Sequence, residues 1–586
     1  MHTLIADTET NGFLEQMTCI HMLQIGEVDD DEVDVYADQP GFRPLKEGLE
    51  RLKKADRVVF HNGTRFDYFA IEKIFPGTLR PEQIFDTVVA ARLLFPEHKA
   101  HTLKDWGLRL NILKGDYTGG FEKFNPEMVV YGRQDIVVGR ALYKHLLARA
   151  ANGTWDDALK TENLFSFIIS LQEQNGFKLN VEKVVALAAE LRQEQNDLRL
   201  QLQEVFPPLT IKRVSKKTGK PLKDKIEVFN PGSGMQVANR LIAKYGWRPK
   251  KMTNTGRAAV DEAVLSSLRY PEAKLLLRYL GLQKMLGQIE DGDNGWLKLM
   301  KTETQRVHGA VNTLGAGTGR CSHFKPNMAQ VSKKDLRMRE VWEARLGWKL
   351  VGVDAEGIEF RMLSHYLKPF DGGATIETVL NGNRKLGTDI HSLNQKAGHL
   401  YDRDSAKTAI YALIYGAQDP KLGSIVIDDA LTAKQPRPNG NAKSLGTKLR
   451  ADLGKGTPGL DKLIKQVSEQ AQRKGWLKAI DGRKIRIKSK HSAFNYLLQG
   501  GGAIVMKVAL VLFHFNRVPA KGWVHGVDFA YCANVHDEVQ SEVRPEIAEE
   551  FGKELADCIR EAGEILGVRC PLAGSYDIGL NWKDTH

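Results

Sequence analysis

Arg403-Asp404-Ser405-Ala406-Lys407-Thr408-Ala409-Ile410-Tyr411-Ala412-Leu413-Ile414-Tyr415-Gly416 is the stretch on which the fold of this chain turns. Arg403, Lys407, Tyr411 and Tyr415 recur every four residues. On an α-helix each such step drifts only about 40°, so the four side chains form one stripe. At about 1.5 Å per residue the stripe is roughly 18 Å long. A guanidinium, an ammonium and two aromatic rings in that order fit a nucleoside triphosphate, with cations on phosphates and rings on a base. An ordinary amphipathic helix with snorkelling cations gives the same pattern. The stripe alone leaves both readings open.

The flanks favour the first. Upstream, Val351-Gly352-Val353-Asp354-Ala355-Glu356-Gly357-Ile358-Glu359 is an apolar strand ending in an acid. Downstream, Ala533-Asn534-Val535-His536-Asp537-Glu538-Val539 is a hairpin-like segment with an acid at its turn. Two strand-end aspartates brought together would hold two Mg2+ ions for in-line phosphoryl transfer.

A second constellation lies near the N-terminus. Leu4-Ile5-Ala6 is an apolar run that stops at Asp7 and Arg57–Phe60 is another, both reading as buried strands with polar residues at their ends; helical patterns follow at 67–74 and 126–148. Strands alternating with helices argue an α/β unit through about residue 150, with a boundary at Ala151-Asn152-Gly153-Thr154. Asp7 and Glu9 stand at i and i+2, so on an extended strand they share a face. Asp67 follows His61–Phe66, and Tyr131-x-x-x-Asp135 places its two side chains on one helix face. Four carboxylates and a tyrosine are what two-metal phosphodiester hydrolysis requires, with the hydroxyl orienting the attacking water. Asp86 is another acid there, set aside because a helix cap explains it equally well.

Charge divides the chain at the same place. Residues 1–150 hold 19 basic and 23 acidic side chains, whereas the rest hold 65 and 49, for a total of +12 over 586 residues. A positive body behind an acidic head suggests a polyanion partner, although charge alone is equally compatible with a merely basic protein. The segment Phe206–Val228 carries seven Lys/Arg against Asp224 and Glu227 and reads as an exposed basic loop or hairpin. Helical patterns dominate 161–202, 234–289 and 389–475, with strands and loops over about 300–375. The last hundred residues read as a helix around 496–515, a hairpin around 524–542 and a closing helix from Pro545. Five cysteines without a C-x-x-C pair argue against a zinc ribbon or a disulfide framework. No signal peptide is visible, and no apolar run of about 18 residues for a membrane span. A soluble, intracellular chain is expected.

The N-terminal residues resemble the tyrosine-bearing branch of the DEDD 3′–5′ exonucleases. That resemblance implies an RNase H-like fold with Asp7, Glu9, Asp67 and Asp135 as metal ligands and Tyr131 positioning water. The strand, stripe and hairpin resemble motifs A, B and C of family A DNA polymerases. Matching text surrounds them at Thr318-Gly319-Arg320, Pro326-Asn327-x-Ala329-Gln330, Asp389-Ile390-His391, Asp481-Gly482-Arg483, Ala493–Gln499 and Asn581-Trp582. The most similar subgroup is the phage T-seven type of replicative polymerase, to which Phe229-Asn230-Pro231 and Pro271–Lys274 are also similar.

The resemblance implies an α/β chain with an exonuclease over 1–150, then a right hand. Connector and thumb are expected over 151–300, palm over 301–385 and 500–586, and fingers over 386–499. It implies Asp354, Asp537 and the Ala355 carbonyl as ligands of two Mg2+ ions, with Mn2+ able to substitute. Glu359 would sit under the sugar, touch Tyr411 and exclude a 2′-hydroxyl. His391, Arg403 and Lys407 would bind the triphosphate, Lys407 protonating the leaving group. Tyr411 would stack on the incoming base and Tyr415 guard the template position. Arg320 and Gln499 would read minor-groove acceptors, and His536 would support the primer end. The expected reaction is template-directed addition of deoxynucleotides to a primer, with proofreading. Primer–template DNA and deoxynucleoside triphosphates are the expected partners, helicase and primase further ones. The chain is expected to be a monomer in the cytoplasm of a phage-infected bacterial cell, without a membrane partner or 5′-nuclease activity. The long thumb insertion that binds thioredoxin in the T-seven type is replaced by Phe206–Val228, so thioredoxin is not expected. Glu359 argues against an RNA polymerase. The full motif set argues against a nuclease or DNA-binding protein with a merely structural second half.

Overall fold

The computed structural model describes residues 1–585 apart from Asn152, Lys216, Lys250 and Asn254. Asn152, at the expected boundary, therefore lies outside the described residues. The run Leu4-Ile5-Ala6 is buried at the centre of a five-stranded sheet. Its strands run in the order Asp34–Tyr36, Ile20–Glu27, Thr3–Thr10, Arg57–Phe60, Ile84–Asp86. Thr3–Thr10 pairs antiparallel with Ile20–Glu27 and parallel with Arg57–Phe60, so the sheet is mixed. The apolar run stops at Asp7, and the strand continues past it. Thr8, Glu9 and Thr10 continue the ladder against Leu23, Met22 and Ile20, which carries both acids inside the sheet. Helices Asp67–Ile74 and Pro126–Ala150 lie where the periodicity predicts, the second two residues longer. Asp86 caps helix Thr87–Leu94, accepting from the Val88 amide at 2.8 Å.

Helices Asp156–Asn175 and Val181–Val205 follow, separated by Gly176 at φ 65° and the short strand Phe177–Leu179. The basic segment is a hairpin, with Leu209–Val214 paired antiparallel to Pro221–Glu227. Its first strand is exposed throughout. Beyond it lie helices Gly234–Tyr245 and Pro271–Leu286.

The second large sheet is antiparallel, in the order Phe529–Val535, Glu538–Val543, Lys349–Ala355, Gly574–Gly579. Helices Ala493–Leu512 and Ala548–Ile565 pack together in the same unit. The segment Lys490–Lys521 corrects one expectation, because by length and composition alone it is apolar enough to cross a membrane. Here 72% of its apolar window is buried inside the protein, as in the core helix of a large domain. One hydrophobic cluster joins Val351 and Val353 of the sheet, Ile410 and Leu413 of helix Arg403–Ile414, and Leu498 and Met506 of the long helix. The strand with Asp354 and the helix with the stripe are therefore anchored in one core.

Candidate active site

Strand Lys349–Ala355 is buried at Leu350 through Val353, and Asp354 is the first side chain to reach the rim. Asp354 lies opposite Glu538 on one side and Ser575 on the other. Asp537 sits in the turn between Phe529–Val535 and Glu538–Val543, where His536 adopts a left-handed φ of 62°. A non-glycine residue there stores strain that the surrounding sheet must hold. The Ala355 amide donates to the Asp537 carbonyl at 3.0 Å and ties the two acid-bearing ends together. Burial pushes the Asp354 carboxyl up to about 7, reinforced by the charges of Asp537 and Glu538. Asp537 is raised too, by burial and then by Glu359. Glu359 and Glu538 are paired with Arg320 and Arg339, whereas Asp354 and Asp537 are in no ion pair among the described residues, and two mutually repelling carboxylates of that kind suit a divalent metal.

Gly357, at φ 55°, turns the chain sharply from that strand into helix Ile358–Asp371, whose second residue is Glu359. Glu359 Oε1 accepts from Arg320 at 3.3 Å and from the Tyr415 hydroxyl at 3.4 Å. The expected contact with Tyr411 is thus made by Tyr415 instead. Helix Arg403–Ile414 ends one residue early for the stripe, and Tyr415 stands at its cap within reach of Glu359. Tyr411 packs edge-on against Phe360, centroids 5.2 Å apart, and lies 6.2 Å from His391. The opposite helix face, Ala406, Ala409, Ile410, Leu413 and Ile414, is buried. The two readings of the stripe are therefore the two faces of one amphipathic helix.

Arg403 pairs with Asp389 at 2.6 Å, and Asp389 also caps helix Ile390–Ala397. Burial raises the Asp389 carboxyl, but hydrogen bonds from Arg403 and Ser392 outweigh it and hold the group well below the usual carboxylate range. His391 is lowered to about 4 by burial and by the charges of Arg403 and Lys407, so it is neutral at pH 7. A cavity of about 430 Å3 brings together Asp354, Asp537, Glu359, His391, Lys407 and Tyr411. Arg320, Arg403, Tyr415, Gln499 and His536 do not line it. Gln499 is half-buried on helix Ala493–Leu512.

The N-terminal acids form a separate site. Asp7 and Glu9 sit on strand Thr3–Thr10, Asp67 opens helix Asp67–Ile74, and Tyr131 and Asp135 share helix Pro126–Ala150. Burial raises all four carboxyls: Asp7 far above its ordinary value, Glu9 to about 8, Asp67 to about 6, and Asp135 by a smaller step. For Asp7 the next causes are the charges of Glu9, Asp67 and Asp135, which places the four acids within one another's field. Asp67 accepts from the Thr8 hydroxyl at 2.7 Å and the Thr8 amide at 3.2 Å. Lys114, which no sequence motif singles out, donates to Asp135 Oδ2 at 2.6 Å, and its ammonium lies 4.5 Å from the Tyr131 ring centre. Asp135 Oδ1 is buried without a partner. Among the described residues no three His, Cys, Asp or Glu side chains already converge as a metal cage. The orphaned oxygen and the mutual repulsion of the acids are nevertheless what a divalent cation would relieve.

The sequence model of one family, described as DNA polymerase family A, matches residues 209–584. The chain is 30% identical to the DNA-directed DNA polymerase of Enterobacteria phage T3, with 100% of both chains covered. To that of Escherichia phage T7 it is 29% identical, again over 100% of both. In structure it is similar to the "POL domain of Pol1 from M. smegmatis complex with DNA primer-template and dNTP", with a TM-score of 0.76, 18% identity, and 99% of this chain and 96% of that one covered. At that identity the likeness speaks for the fold.

Proposed function

This chain belongs to DNA polymerase family A and is a DNA-directed DNA polymerase of the phage T3 and T7 type, and from that premise we propose where its two chemistries reside. Synthesis belongs to the 430 Å3 cavity, and 3′–5′ proofreading to the acidic site of residues 1–150. The observation that carries the first assignment is the pair Asp354 and Asp537, lashed together through Ala355 and facing Lys407 and Tyr411 across one cavity. Divalent metal ions, Mg2+ in pairs with Mn2+ able to replace it, supply charge neutralisation and an activated oxygen when bound. Asp354, Asp537 and the Ala355 carbonyl hold them at the synthesis site; Asp7, Glu9, Asp67 and Asp135 hold them at the other.

The chain's own groups do the rest. Arg403 and Lys407 bind the triphosphate, the first as a planar fork preset by Asp389, the second as a point charge that donates a proton to the departing pyrophosphate. His391 is neutral and donates a hydrogen bond rather than a charge. Tyr411 stacks on the incoming base. Glu359, held by Arg320 and Tyr415, excludes a 2′-hydroxyl. Arg320 and Gln499 read minor-groove acceptors common to all correct pairs, and His536 supports the primer end. At the second site Tyr131 orients water, while Lys114 fixes Asp135. Helix Arg403–Ile414 closes on the cleft when a correct nucleotide binds. The segments 1–150, 151–300, 301–385 with 500–586, and 386–499 act as exonuclease, thumb, split palm and fingers. Action as a monomer in the cytoplasm of an infected bacterium, with helicase and primase as further contacts, completes the reading. The alignment with the T3 enzyme spans 727 positions against 586 residues here, so that relative carries segments this chain lacks. A missing thioredoxin-binding insertion accords with this.

Primer extension on matched and mismatched primers, with and without nucleotides, tests both assignments. Asp537→Ala is expected to abolish extension and spare digestion, Asp7→Ala the reverse. Extension retained by Asp537→Ala contradicts the first assignment, and digestion retained by Asp7→Ala contradicts the second.

A further inference from the structure

The turn that leads into Asp67 faces two ways. Asn62 opens it at a left-handed φ of 76°. Asp86 holds it from beneath. Its carboxylate accepts from the Asn62 amide at 3.1 Å, and from the Thr64 amide and hydroxyl at 3.1 and 2.7 Å. Thr64, Asp67 and Asp86 are all buried. Asp67 is tied in turn to Thr8, which stands between Asp7 and Glu9. A buried polar network satisfied this fully is rigid, so a side chain that leaves the turn shares the placement of the acids.

Arg65 is that side chain. It points out of the N-terminal unit and meets two partners beyond it. Nη1 lies 3.1 Å from Glu173 Oε2, on helix Asp156–Asn175. Nη2 donates to the Val311 carbonyl, on strand Ala310–Asn312. Glu173 Oε1 accepts from the Val311 amide at 2.6 Å, which closes a ring of guanidinium, carboxylate and peptide group. Strand Ala310–Asn312 pairs with Ser322–Phe324, and the loop between them carries Arg320, which holds Glu359 of the synthesis site. Arg65 thus stands two residues from an acid of one site and bonds the hairpin that presents a residue of the other.

A neighbouring pair across the same seam is weaker in kind. Glu15, on the loop after Glu9, pairs with Lys301, but the two side chains are 68% and 36% exposed, so water screens them. Arg65 and Glu173 are only 24% and 18% exposed. Burial raises the Glu173 carboxyl, and the charge of Arg65 is the strongest influence that holds it down. A lysine in place of Arg65 could not substitute, because a point charge meets the carboxylate or the carbonyl and lacks the planar fork that meets both.

We propose that Arg65 is a positioning residue that sets the acidic site at a fixed place relative to the Arg320 hairpin. The proposal deepens the two-site reading and rests on it. A mispaired primer end rejected beside Arg320 then reaches the acids of the same protein molecule before the DNA dissociates.

Arg65→Lys and Glu173→Gln test this in the full chain. Protein is bound without divalent cation to a labelled primer–template with a mismatched primer end. The reaction is started with Mg2+ together with excess unlabelled primer–template. The fraction of primer digested before dissociation is expected to fall roughly tenfold in each variant, the worth of one charge-assisted hydrogen bond. Digestion of a free single-stranded oligonucleotide and extension of a matched primer stay within about twofold of the parent, which a general loss of stability would not allow. An unchanged fraction in either variant would overturn the proposal. So would a parent whose mismatch digestion the unlabelled DNA abolishes entirely. A parallel fall in single-strand digestion would overturn it as well, since Arg65 would then act on the acids alone. A parent that neither digests the single strand nor extends the matched primer would overturn the two-site reading and this inference with it.

Discussion

On the proposed reading, the Tyr411 hydroxyl decides a substrate preference. Its ring is fixed by Phe360 and His391, yet its hydroxyl has no hydrogen-bond partner among the described residues. A phenol free to meet the sugar can take the place of the contact that a missing 3′-hydroxyl leaves unmade. Dideoxynucleotides are therefore expected to be incorporated readily. Tyr411→Phe should restore discrimination by roughly tenfold, the worth of one hydrogen bond. Competition between deoxy- and dideoxynucleotides in primer extension measures it, and equal ratios for both proteins would sink the idea. Asp389 makes a second residue-scale case. Its carboxyl is lowered in the folded state, so the folded chain binds that proton less tightly than the unfolded chain. The stability it contributes is present above the ordinary carboxylate pKa and is lost as pH falls through its lower folded value. Asp389→Asn is expected to cost about 1–3 kcal/mol in urea unfolding at pH 7. It is also expected to raise the nucleotide KM, because Arg403 loses the partner that aims it. The difference from the parent should shrink as pH drops into the acid range; a constant difference would contradict the pairing. Asp389 was visible in the sequence as part of Asp389-Ile390-His391, but its ion pair was not, since that depends on Arg403, fourteen residues away on another helix. Lys114 was invisible for the same reason: a lone lysine in a polar loop carries no signal of the acid it will meet.

Elements differed in how far they could be read. Helices Asp67–Ile74 and Pro126–Ala150 were legible from periodicity, and the basic hairpin from Pro207, Pro208, Gly219 and Pro221 around short β-prone runs. Strand Gly574–Gly579 was not, because its residues alternate between part-buried and exposed and include two glycines. Only its pairing with Lys349–Ala355 makes it a strand. In strand Thr3–Thr10 only the apolar run Leu4-Ile5-Ala6 and the i, i+2 spacing of Asp7 and Glu9 were legible, whereas the ladder with Ile20–Glu27 is what holds both acids inside the sheet. A polar run inside a buried strand is a local inconsistency of the kind that points to a candidate site. The hairpin Leu209–Val214/Pro221–Glu227 projects exposed cations and touches neither site, so its role is tested by removal. Replacing residues 209–227 with a short Gly–Ser linker is expected to leave single-nucleotide insertion within about twofold at low salt. Product length should then be shorter than the parent's at moderate salt but fall less steeply as salt rises, since phosphate contacts are lost. Thioredoxin should lengthen products of neither protein. An unchanged salt profile would remove the hairpin from the DNA interface.

At the scale of the molecule, the sign change near residue 150 coincides with a buried charge cluster that joins the two bodies. Glu162, fully buried on helix Asp156–Asn175, accepts from Arg483 at 2.5 Å and from Lys507 through both oxygens at 2.8 Å. Lys507 also donates to the carbonyls of Thr313 and Gly319, at 2.8 and 2.9 Å. Helix Asp156–Asn175, the turn of the hairpin carrying Arg483 and helix Ala493–Leu512 carrying Lys507 therefore meet on one carboxylate, and Lys507 ties in the loop that ends at Arg320. Two cations left buried without it have no other acid to share equally, although Asp481 retains part of Arg483. Glu162→Ala is expected to destabilise the chain by about 3–5 kcal/mol, because breaking a buried pair leaves uncompensated charge. The loss should be read on both activities. Lys507 no longer fixes the Thr313–Gly319 loop, so discrimination against mismatches falls along with stability. Replacing Glu162, Arg483 and Lys507 together by apolar residues of similar volume is expected to cost less stability than the single change while leaving the mismatch defect. Denaturant midpoints and mismatch extension on the two variants separate charge burial from loop positioning. A Glu162→Ala protein within about 0.5 kcal/mol of its parent would show that the cluster does not hold the two bodies together.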